Sequence, residues 1–123
     1  MTDSTDIADH RVALTARVIN VLGVSHHGKA HGIHAAHLAG KLGLAGEYGM
    51  RVLRKAISEL RETGVPIAGT PTSGYFLAAT PEELDEFCVQ FLERRALHSL
   101  HLASRLRKIP LPMLCGQLLL NQA

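Results

Sequence analysis

The hydrophobic period of this chain changes once, between residues 64 and 80, and that change sets the frame for the rest. Up to Thr63 the apolar residues recur at helical spacing. Val65-Pro66-Ile67-Ala68 and Tyr75-Phe76-Leu77-Ala78 are then two short β-like runs. Between them Gly69-Thr70-Pro71-Thr72-Ser73-Gly74 supplies six residues of turn chemistry, so the segment reads as a small hairpin. Pro66 has no N–H to donate and fits where the ladder needs none. From Thr80 the helical period returns. Thr80 can cap, Pro81 suits the first helical position, and Glu83 can complete a capping box. Leu84, Phe87, Cys88, Phe91 and Leu92 follow i, i+3, i+4, i+7, i+8, and the pattern persists through Leu100, Ala103 and Leu106 until Pro110 and Pro112. A helix from Pro81 to about Lys108 would be roughly 42 Å long, more than one small domain covers. The apolar tail from Met113 to Leu120 needs a partner surface.

Three helices are expected before the hairpin. The first runs from Ala8 to Leu22 on Val12, Leu14, Ala16, Ile19 and Leu22, broadened by Val18 and Val21, with Gly23 as its stop and residues 1–9 as a flexible acidic tail. The stretch from Val24 to Gly32 is polar and rich in His, a loop, and Ile33 after it can form a one-rung strand. A short second helix covers about Ala35 to Leu42, where Leu38, Ala39 and Leu42 share a face. Gly43 offers a positive-φ turn. A third helix runs from about Glu47 to Thr63 and stops at Gly64.

The 123 residues suit one domain with an extension, and 46% apolar content is enough for a core. No apolar run reaches the roughly 18 residues of a membrane span. The acidic start, MTDSTDIADH, is unlike a secretory signal. Cys88 and Cys115 read as reduced thiols of a cytoplasmic protein. The net charge of +2 hides blocks: three acids and no base in residues 1–9, eight bases against three acids in 10–80, five acids and no base in 81–93, five bases and no acid in 94–123. A basic middle segment fits an anionic partner for that part of the chain.

The order is helix, helix, short turn, helix, hairpin, long helix. With His34-Ala35-Ala36-His37-Leu38-Ala39, Leu42-Gly43-Leu44, the run from Leu53 to Ile67 and Gly74-Tyr75-Phe76-Leu77, it resembles the winged helix-turn-helix domains of bacterial and phage transcription regulators. The likeness is closest to the biotin-repressor-like type, covers about residues 10–80, and is most specific in LRETGVPI and GYFLA. It implies a mainly α fold with a small β-hairpin, a winged helix-turn-helix followed by a long C-terminal helix. It also implies double-stranded DNA as partner and hence a nucleoid-associated location, with helix 47–63 in the major groove and hairpin 65–78 as wing, while the long helix and the apolar tail beyond it point to a homodimer through 81–123 or to a tail folded back on the first helix. ATPEEL and LCGQLLL look like the tails of phage-associated proteins with this domain.

The residues of helix three support that reading. Met50, Leu53, Ile57 and Leu60 lie within about 80° of one another and form its buried face. The opposite face carries Tyr48, Arg51, Lys55 and Ser58, with Glu62 at its end and Arg54 and Arg61 on a flank. Arg reads guanine edges, and Lys and Tyr reach phosphates or bases. The candidate DNA-binding set is therefore Tyr48, Arg51, Arg54, Lys55 and Ser58, with Thr72 and Ser73 from the wing, which has no Lys or Arg. Helix three opens with Ala45-Gly46-Glu47 where such domains often have Ser or Thr, and Gly49 weakens its first turn by up to about 1 kcal/mol. His26, His27, His31, His34 and His37 cluster in sequence, yet lie in a loop or at a helix start, so no metal site or cofactor is expected. No phosphate loop and no G-x-S-x-G element occurs, and no enzymatic activity is expected. The rival to a DNA-binding regulator is a protein–protein interaction module that keeps the winged fold. A third candidate is a replication or partition accessory factor.

Overall fold

The computed structural model describes the backbone of residues 4–122, with side chains from Ala13 onward. The chain is mainly α-helical with a two-stranded hairpin: α1 (Ser4–Ser25), a 3₁₀ turn (Lys29–His31), α2 (Ala35–Lys41), α3 (Gly46–Glu62), β1 (Ile67–Thr70), β2 (Gly74–Leu77), α4 (Pro81–Phe87), a π-helical segment (Cys88–Glu93), α5 (Arg94–Arg107) and α6 (Leu111–Asn121). It divides into two compact units, Met1–Asp85 and Glu86–Ala123. The division falls inside the helical stretch that opens at Pro81 rather than before it.

In the first unit, α1, α2 and α3 enclose one core. Val18 and Leu22, one helical turn apart, are its α1 contribution, packed with Leu38, Leu42, Leu53, Ile57, Leu60 and Ile67. Each such side chain contributes roughly 1.5–3 kcal/mol on burial. α1 is longer than its apolar period. It takes in residues 4–9, expected as an acidic tail, and passes through Gly23 to Ser25. Ile19, expected on the inner stripe, is exposed, because Val18 and Leu22 set the direction of the face. Val12 lies outside the described side chains. Arg17 of α1 donates from Nη2 to the carbonyl of Leu42 at 3.0 Å and so closes the C-terminal end of α2.

The end of α3 follows from Gly64. At φ 96° it turns the chain back, the Val65 N–H reaches the Leu60 carbonyl at 3.0 Å, and the Gly64 N–H reaches Arg61 at 3.0 Å. This is a Schellman cap. The strand that follows starts two residues later than expected. Pro66 precedes β1, and Gly69 and Thr70 belong to the ladder, opposite Tyr75 and Gly74. The turn shrinks from six residues to Pro71-Thr72-Ser73 with Gly74 at φ 74°. β2 is paired on both edges. Ile33 forms the expected single rung, exchanging bonds of 2.8 and 2.7 Å with Tyr75, while Gly28 donates to Leu77 and Leu77 to His26.

At Thr80 the capping box forms with one change of partner. Glu83 N–H bonds Thr80 Oγ1 at 3.2 Å, but the Glu83 carboxylate takes the N–H of Ala79 at 2.8 Å.

The second unit is a helical hairpin. The expected single α-helix to Lys108 is interrupted by i→i+5 bonding over Cys88–Glu93, beside stacked Phe87 and Phe91 with ring centroids 6.0 Å apart. α5 stops at Lys108, which adopts the left-handed conformation, φ 55° and ψ 40°. The apolar tail is itself a helix, α6, with Pro112 in its first turn; it packs on α5, and its Leu114 is buried. Cys88 and Cys115 are half-buried free thiols.

Candidate nucleic-acid interface

The presentation of α3 is set by glycines in the turn before it and in its own first turn. Gly43 and Gly46 take φ of 72° and 66°, conformations that cost a side-chain-bearing residue roughly 1–2 kcal/mol. Gly49 is buried, and a Cβ there would stand 2.8 Å from the Leu44 carbonyl carbon. The sequence alone assigns this glycine only a loss of helix propensity. In the fold it is what lets α3 lie against the backbone of the turn.

At about 100° per residue, Gly49, Leu53, Ala56, Ile57 and Leu60 define the inward arc of α3. Met50, expected there, is half-buried at its edge. Tyr48, Arg51, Arg54, Lys55 and Ser58 are all exposed, Tyr48 by 75%, and they occupy the opposite arc. Glu47 and Glu62 share that arc. So the structure brings together the five α3 residues named from the sequence and adds two carboxylates to the same face. Three cations against two acids is a modest positive field, and its middle, from Arg51 to Lys55, is the purely cationic part.

Arg61 turns away from this face. Half-buried, it donates from Nε to the Ile67 carbonyl at 2.8 Å, and its guanidinium lies over the Tyr75 ring, 5.8 Å from the centroid. It joins the end of α3 to both strands of the hairpin, and Gly69 leaves room for Tyr75 beside it. The signal for this in the sequence is the Schellman cap, which returns the chain past the last turn of α3.

The hairpin loop presents less than expected. Thr72 is exposed. Ser73 is half-buried, its N–H bonds Thr70 Oγ1 at 2.8 Å, and the two hydroxyls bond each other. The pair is used to hold the three-residue turn. Its backbone is also tight against the segment before α2: a Cβ on Gly32 would fall 1.9 Å from the Ser73 carbonyl oxygen, and one on Gly74 would fall 2.4 Å from the Ile33 carbonyl carbon.

The histidines serve the loop between α1 and α2. His26 Nδ1 meets the His31 carbonyl at 2.7 Å and its Nε2 meets the Lys41 ammonium at 3.2 Å. This pairing fits a ring with the proton on Nδ1. His34 occupies the cap position of α2 without a side-chain bond. Among the described residues no three His, Cys, Asp or Glu side chains converge on a point. Glu83 was legible as a capping residue but not as a tie. Its second oxygen accepts the Lys29 N–H at 3.0 Å, joining the start of α4 to the 3₁₀ turn. The N–H of Ala79 and then that of Lys29 hold its carboxyl below the usual value, with His27 and Lys29 adding charge and burial opposing.

Compared with protein-family models, curated proteins and solved structures, the chain matches none. Among the described residues no helix is long and apolar enough to cross a membrane.

Proposed function

We propose that the chain is a winged-helix DNA-binding protein, a transcription regulator of bacterial or phage type that lays α3 in the major groove. The observation that carries this reading is the exposed face of α3. Tyr48, Arg51, Arg54, Lys55 and Ser58 stand on it while Arg61, the cation of the last turn, is committed to the hairpin. Arg51 and Arg54 suit guanine edges, Lys55 and Tyr48 suit phosphate or base, and Thr72 is the hydroxyl the wing offers. The wing supplies positioning rather than charge, so affinity depends on α3.

Replacing Arg51 and Lys55 together by Ala tests the assignment. Duplex binding should weaken, and the slope of log K against log salt should flatten by roughly 0.9 for each phosphate that is no longer neutralised. A folded double variant that binds DNA with the parent's affinity and salt slope removes α3 from the interface.

The second reading, a winged fold used for protein–protein contact, is favoured by one observation: the hairpin loop has no cation, and Ser73 is turned into its own turn. Under that reading neither the parent nor the variant retains duplex DNA at low salt.

A further inference from the structure

The unit from Glu86 onward leaves more apolar surface uncovered than a helical hairpin holds alone. α6 has no charged residue and carries apolar side chains all round its axis. Leu114 is buried, but Leu119 and Leu120 are 71% and 76% exposed, with Met113 and Leu118 exposed beside them and Leu102 and Leu106 exposed on α5. A helix that is apolar on every side is normally enclosed by protein or lipid. α6 is far shorter than the roughly 20 residues that span a bilayer. A unit of fewer than about 40 residues generally needs disulfides, a metal or oligomerisation to be stable. Here both cysteines are free thiols, and the buried apolar residues described in the unit are Phe87 and Leu114.

Charge selects the cover and its direction. From Arg94 to the end there are five bases and no acid, so two copies laid side by side in the same direction would set base against base. Glu86 and Glu93 precede that stretch. When two copies run in opposite directions about the 93–94 peptide, Glu93 of each meets Arg94 of the other. A charge order of this kind is self-complementary under a two-fold axis, which is the requirement of an isologous interface. We propose that the exposed face of the α5–α6 hairpin is covered by the stretch 86–93 of a second copy of this chain, where Val89 and Leu92 are themselves exposed, the two copies pairing antiparallel about residues 93–94. The proposal does not rest on DNA binding, and its test uses no DNA.

Sedimentation of the full chain at micromolar concentration should give a dimer. Glu93→Arg or Arg94→Glu alone should weaken association about tenfold, and the combined exchange should restore it to within about threefold. Orientation is read by spin labels in a Cys88→Ala/Cys115→Ala chain. Labels at Arg95→Cys should approach closely, and labels at Arg107→Cys should lie roughly 40 Å apart at 1.5 Å of rise per residue. A monomeric full chain overturns the proposal. So does a dimer whose Arg107→Cys labels are as close as those at Arg95→Cys, or one indifferent to both charge variants. A monomer that co-sediments with phosphatidylglycerol vesicles assigns the face to lipid instead.

Discussion

Two residues show opposite uses of backbone freedom. Gly49 lies in a helix, where glycine costs up to about 1 kcal/mol relative to alanine, and the helix accepts that cost because the Leu44 carbonyl carbon leaves no room for a Cβ. Gly49→Ala is therefore expected to destabilise the chain despite the better helix propensity of alanine. Chemical denaturation should show a loss of about 1–3 kcal/mol, the range for overpacking; a gain in stability would mean the contact relaxes freely. Lys108 is the converse. It carries a side chain in a left-handed conformation at the end of α5, with the Ile109 N–H returned to Ser104 at 3.0 Å. Lys108→Gly should stabilise the chain by about 0.5–1 kcal/mol, after the larger chain entropy of glycine in the unfolded state offsets part of the relief. The thermal midpoint is the measurement that checks it.

Among the elements, those with a clear alternation of apolar and polar faces were readable. α3 has its apolar residues on one arc, its cations on the other and Gly64 at its stop, so both its limits and its outward residues follow from the sequence. The rung at Ile33 and the cap at Thr80 were also readable. What escaped the sequence lacks such contrast. α6 is apolar on all sides, so no period marks it as a helix and the same residues read as a tail. The π segment preserves helical spacing closely enough to pass for α-helix. β1 ends in Gly69 and Thr70, residues of turn chemistry held in the ladder by pairing with Tyr75 and Gly74. Ser73 looked free to bind because a hydroxyl in a loop usually is, but a three-residue turn needs it. The connection into α4 carries its own test. The Glu83 carboxyl is depressed chiefly by the Ala79 N–H and next by that of Lys29, so the unfolded chain binds a proton there more readily than the folded one. Its contribution is present above the ordinary value of 4.5 and is lost as pH falls through the depressed one. Stability of Glu83→Gln should consequently decline less steeply than the parent's below pH 4.5, as acid titration followed by circular dichroism will show.

At the level of the whole molecule, two compact units carry two different kinds of surface: a basic polar face on α3 and an uncharged leucine-rich one on α6. The first asks for an anionic partner and weakens with salt. The second asks for an apolar one and is reinforced by excluded salts such as sulfate. Raising sulfate should thus separate the proposed DNA binding from the proposed self-association in one sample, and the Arg51→Ala/Lys55→Ala chain should sediment as its parent does.

The close approach of Gly32 to the Ser73 carbonyl has a consequence for mutational tolerance. Composition marks residues 26–34, polar and full of histidine, as the most permissive stretch of the chain, since surface loops ordinarily accept change. The fold makes part of it a seam: β2 holds Gly28 and Ile33 along one edge, and at Gly32 and Gly74 two backbones pass with no space for a methyl group. In a saturation library these two glycines should be as intolerant as the buried leucines, while Thr72, in the turn between them in sequence, varies freely. A substitution profile would then record the architecture of the hairpin in positions that carry no side chain at all.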